Sequence, residues 1–60
     1  MTIKVINMTC QHCVRTIQMA LIKNKIIADI NLNEQTVSVS NDVSESEVKK
    51  VIHNAGYETA

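Results

Sequence analysis

The 60-residue sequence contains no proline, phenylalanine or tryptophan, and only one glycine and one tyrosine. Without proline, element boundaries depend on turn chemistry at Asn, Ser and the lone Gly56. Without large aromatics, the core must be built from Ile, Val, Leu, Met and Ala. That is enough for two thin layers and leaves no large catalytic cavity, so the chain is not expected to be an enzyme. Six basic residues balance six acidic ones, so the basic footprint of a nucleic-acid or membrane-surface binder is missing. No apolar run approaches the roughly 18 residues of a membrane span. The start of the chain lacks the basic region, apolar stretch and cleavage site of a signal peptide. The expectation is one domain over residues 1–60, free-standing in the cytoplasm, with a stability of about 3–5 kcal/mol.

What the sequence does have is concentrated in Met8-Thr9-Cys10-Gln11-His12-Cys13, which holds both cysteines. The C-x-x-C lies where an alternating apolar segment gives way to one of helical period. A strand ending in a loop, with the second thiol in a first helical turn, puts both sulfurs at a positive helix end. The macrodipole and the unpaired N–H groups there favour thiolate over thiol. In a reducing cytosol, two cysteines point to metal binding or dithiol redox chemistry rather than to a structural bridge.

Thr2 to Asn7 reads as a strand rich in β-branched residues, and Asn7 marks its exit as a residue that tolerates left-handed backbone. From Cys13 to about Lys23, Val14, Ile17, Ala20 and Leu21 share one helical face, with Asn24 as a left-handed terminator. Ile26 to Leu32 and Thr36 to Ser40 alternate again, joined by the polar Asn33-Glu34-Gln35 as a hairpin with Val37 and Val39 inward. Ser44 and Glu47 fit a capping box, with Val43 and Val48 as its hydrophobic staple. Val48, Val51, Ile52 and Ala55 continue the buried stripe of this second helix. Gly56 stands at its left-handed end, and Tyr57 to Ala60 leaves room for a stub of strand. The order β-α-β-β-α-(β) is α+β: an antiparallel sheet with two helices on one face, the ferredoxin-like sandwich, its last strand short. The first loop and the Gly56-Tyr57 loop then share one end.

Met8-Thr9-Cys10-x-x-Cys13 opening a helix, followed by Val14 and Ile17, with Gly56-Tyr57 after the second helix, resembles the heavy-metal-associated domain. This family includes small cytosolic copper chaperones and the N-terminal domains of copper-transporting P-type ATPases. The likeness spans essentially the whole chain. It implies a βαββαβ fold with Cys10 and Cys13 as metal ligands, Met8 packed beneath the metal loop and Tyr57 close to it. Asn7 departs from the usual Gly, and Asn24-Lys25 from the usual Gly-Val connector.

Ligand chemistry narrows the metal. Two thiolates satisfy Cu(I), which accepts few soft donors, and Ag(I) or Hg(II) would bind by the same softness. Zn(II) wants four ligands, and only His12 and a distant carboxylate could make up the number. Met8 is either a thioether ligand or a core plug. His12 is either a solvent-facing residue that tunes the loop, or a third ligand or contact to a second chain. Tyr57 is either a shield hydrogen-bonded near a sulfur or a rim residue closing the core. His53 reads as an exposed helix residue, and the lysines as solvated surface, with Arg15 and Lys23 placed to steer docking. The expected function is a cytosolic copper chaperone that passes one Cu(I) by ligand exchange to a copper ATPase domain or a copper-responsive regulator. Without metal it is expected to be a monomer; copper shared between facing C-x-x-C loops would make a homodimer. The competing readings are a dithiol redox module and a sensor domain that binds metal without delivering it.

Overall fold

The computed structural model describes residues 1–60. Its elements follow in the order β1 (Thr2–Lys4), α1 (Gln11–Lys23), β2 (Ala28–Asn31), β3 (Thr36–Val39) and α2 (Glu45–Asn54). The sheet order is β1-β3-β2, with both pairings antiparallel. The register sets Ile3 and Ile30 on either side of Val37, a row of β-branched side chains facing inward. Thr2 and Asp29 flank Ser38 on the opposite face, where the Thr2 and Ser38 hydroxyls lie 3.4 Å apart. One face is therefore apolar and the other polar, and both helices cover the apolar one.

That face and the helices share a single core. Ile3, Val5, Val37 and Val39 from the sheet side meet Ile17 and Leu21 of α1 and Val48, Val51 and Ile52 of α2. All buried side chains are apolar, so no titratable group is desolvated in the interior. The terminal segment lies along the free edge of β1: Val5 bridges Thr59, Ile6 N–H donates to Glu58 O, and Ala60 N–H donates to Lys4 O. This completes the ferredoxin-like arrangement of two interleaved βαβ units. No helix is long and apolar enough to cross a membrane.

Several boundaries differ from the sequence expectation. β1 ends at Lys4 rather than Asn7 because its partner β3 begins only at Thr36; Val5 N–H instead reaches Gln35 O at 2.8 Å. α1 begins at Gln11, two residues before the expected Cys13, because Cys10 takes the extended N-cap conformation and its carbonyl accepts from Val14 N–H. β2 is shorter than Ile26–Leu32. Ile26 is buried and Ile27 is 89% exposed, so alternation already runs from Ile26, but pairing with β3 extends only from Ala28 opposite Val39 to Asn31 opposite Thr36. β3 stops at Val39, one residue early.

Asn24 is not the left-handed terminator. It sits at φ −95°, with its side chain donating to Ala20 O, and Lys25 takes φ 61°. Ile26 N–H then bonds Leu21 O, and Lys25 N–H bonds Ile22 O, both at 2.9 Å. Asn7 likewise has no positive φ; its Oδ1 accepts from Glu58 N–H at 2.9 Å. Ser44 is the N-cap of α2, but the capping box does not form, because its hydroxyl turns to Ser46 Oγ at 3.0 Å. The staple residues Val43 and Val48 both join the core.

Candidate metal centre

The loop between β1 and α1 is held from both sides. Met8 is fully buried and fixes the loop from below. Thr9 and Cys10 then rise to the surface, and the helix starts immediately after. Cys10 is exposed and Cys13 half-buried; both are free, and their sulfurs lie 3.6 Å apart. The first turn of α1 carries no acidic residue, so no carboxylate competes with sulfur for the positive helix end.

Tyr57 reaches this loop because α2 ends in a left-handed residue. Gly56 sits at φ 98°, Gly56 N–H donates to His53 O, and Tyr57 N–H donates to Ile52 O. The chain is thereby turned back over the core, and the ring packs half-buried against it. The Cys13 thiol is lowered from 9.0 to about 6, with the Tyr57 side chain the largest influence and the Thr9 backbone the next. Cys13 in turn raises the Tyr57 phenol above its ordinary value. Tyr57 is therefore a half-buried residue packed against the core whose side chain influences the Cys13 thiol.

The remaining sequence candidates divide. Thr9 is exposed, and its backbone is an influence that lowers the Cys13 thiol. His12 is exposed at the second helical position. No three of His, Cys, Asp and Glu gather into a group that could hold a metal. His53 lies elsewhere, its Nδ1 3.7 Å from Glu58 Oε1. None of the surface hollows includes either cysteine, so the sulfurs stand on the surface rather than in a cleft.

Two supporting residues gave no sequence signal of this role. Gln35, from the β2–β3 turn, donates its amide to Met8 O at 2.8 Å and to Ile6 O at 3.3 Å. Asn7 ties the loop to the segment that follows Tyr57.

The heavy-metal-associated domain family matches residues 2–58. The chain belongs to that family. No curated protein sequence matches it significantly, but solved structures of heavy-metal-associated folds do. The copper chaperone Atx1 from Synechocystis PCC6803 superposes with a TM-score of 0.90 at 19% identity, over 100% of this chain and 98% of that one. At that identity the likeness speaks for the fold. A CopZ metallochaperone aligns at 28% identity and TM-score 0.79, covering 100% and 97% of the two chains. A copper-binding domain from HMA7, a P-type ATPase, aligns at 26% and 0.80, covering 98% and 86%.

Proposed function

We propose that this heavy-metal-associated chain is a cytoplasmic copper chaperone. It carries one Cu(I) between Cys10 and Cys13 and passes it to a copper P-type ATPase domain or a copper-responsive regulator. The observation that carries this reading is the pair of free sulfurs 3.6 Å apart, and the lowering of the Cys13 thiol to about 6 supports it. The similarity to a metallochaperone and to an ATPase copper-binding domain supports it.

The geometry favours a soft ion of low coordination. With metal–sulfur bonds of about 2.3 Å, this sulfur spacing corresponds to an S–metal–S angle of about 100°. Such a bent site leaves the outward side of the ion open to a third sulfur. A linear site would require the sulfurs to separate by about a further 1 Å, a movement that exposed Cys10 is free to make. Zn(II), which wants four ligands, finds no carboxylate or imidazole grouped with the sulfurs.

Transfer proceeds by ligand exchange. An acceptor thiolate forms a sulfur–copper bond, giving a three-sulfur intermediate. One resident sulfur–copper bond then breaks; a second acceptor thiolate bonds the copper, and the remaining resident sulfur–copper bond breaks to complete the move. Copper stays Cu(I) throughout. Each acceptor thiol releases its proton to solvent, and each vacated cysteine takes one up according to its own acidity. Met8 serves as the plug that keeps the loop in place, and Tyr57 as the partner that holds Cys13 ready.

The test is transfer under reducing conditions from the copper-loaded chain to a C-x-x-C acceptor domain. The wild type should equilibrate its copper with the acceptor, whereas Cys10→Ser and Cys13→Ser should retain no tightly held copper yet fold normally by circular dichroism. Either variant holding copper as the wild type does would contradict the assignment. Copper held but never released to any acceptor would favour a sensor role, and disulfide turnover with a partner protein would favour redox exchange.

A further inference from the structure

We infer that Gln35 is a positioning residue for the metal loop, a role that rests on the copper-binding reading above. The β2–β3 turn folds Gln35 N–H onto Leu32 O at 3.2 Å and places Gln35 at φ 55°, a left-handed conformation that glycine adopts freely and glutamine does not. From there its backbone carbonyl accepts Val5 N–H at 2.8 Å. Its side chain crosses to the strand-to-loop turn and bonds the carbonyls of Met8 at 2.8 Å and Ile6 at 3.3 Å. Both acceptors are carbonyls, so the amide must present its NH2 group to them.

One side chain therefore clamps the residues on either side of Asn7 and leaves only Thr9 between the clamp and Cys10. On the far side, Cys10 O is held by Val14 N–H at 3.2 Å. Cys10 thus stands between two anchors, one belonging to its own helix and the other supplied by a hairpin distant in sequence. Removing the second lets Thr9 and Cys10 wander in the metal-free protein, and binding must then order them.

The discriminating variant is Gln35→Gly, which deletes the amide but relieves the left-handed backbone. Its urea midpoint should stay close to wild type because the two effects oppose each other. Its Cu(I) affinity, measured by chelator competition, should fall about tenfold, the cost of ordering one or two loop residues on binding. NMR order parameters of the Thr9 and Cys10 amides should drop in the metal-free form. Gln35→Lys, which keeps a donor in reach of both carbonyls, should restore affinity and order. Affinity within twofold of wild type in Gln35→Gly, or no rescue by Gln35→Lys, would overturn the role. A loss of affinity that merely tracks a loss of stability would also overturn it. If the wild type itself held no copper, the copper reading would fail, while the order parameters would still report on the clamp.

Discussion

At the scale of single residues, the acidity of Cys13 carries the chemistry. A thiol lowered to about 6 is mainly thiolate at neutral pH, the charge state that the proposed reading requires for a cationic metal. The shift also makes folding depend on pH. Between the folded value near 6 and the ordinary 9.0, the unfolded chain binds more protons than the folded one, so stability rises with pH across that window and is lost as pH falls through it. Above the ordinary tyrosine value of 10.0, the raised Tyr57 phenol works in the opposite sense, since the unfolded chain then ionises first. Tyr57→Phe removes the largest influence on Cys13. The variant should show its thiolate absorbance appearing at higher pH than wild type, and its urea midpoint should rise less between pH 6 and 9. An unchanged Cys13 titration would mean that the Thr9 amide and the helix end suffice by themselves.

At the scale of elements, α1 and α2 end in the same way with different residues. Each closes on a left-handed residue whose N–H and whose neighbour's N–H bond back into the last turn, at Lys25-Ile26 and at Gly56-Tyr57. Lysine is strained at that backbone geometry and glycine is not. Lys25→Gly should therefore stabilise the chain by about 1 kcal/mol. Gly56→Ala should cost about 1–2 kcal/mol from the backbone alone, because nothing lies within 4 Å of where its Cβ would be. Urea midpoints of the two variants moving in opposite directions would bear this out; movement in the same direction would contradict it.

The same elements show what a sequence can and cannot reveal. Periodicity located both helices and the hairpin because burial repeats along them, and the lone Gly56 marked the turn that delivers Tyr57. The left-handed lysine was hidden because nothing about Lys25 distinguishes it from a solvated surface charge. The strands were read too long because alternation persists past the last paired residue: Val5 is still buried, yet its partners are Gln35 and Thr59. Gln35 read as part of a polar connector. A side-chain bond spanning 27 residues to Met8 leaves no local pattern. The cysteines were legible because C-x-x-C at a strand-to-helix junction is a local motif, whereas the depth of Met8 and the reach of Tyr57 depend on packing.

At the scale of the whole molecule, a thin aliphatic core supports a loop that stays in water. Stability of about 3–5 kcal/mol is what a chain of this size can be expected to reach, and it is placed under the loop rather than around it. The interior holds only apolar side chains, and the sulfurs lie outside every hollow of the surface. Under the proposed function, uptake and release of an ion leave the core closed. Competition for metal under reducing conditions, against chelators of known affinity for Cu(I) and for Zn(II), tests this account most directly. It predicts one tightly held Cu(I) per chain, much weaker Zn(II), and loss of the copper site when Cys10 and Cys13 are both replaced by serine. Zn(II) bound as tightly as Cu(I), or copper retained without the cysteines, would contradict it.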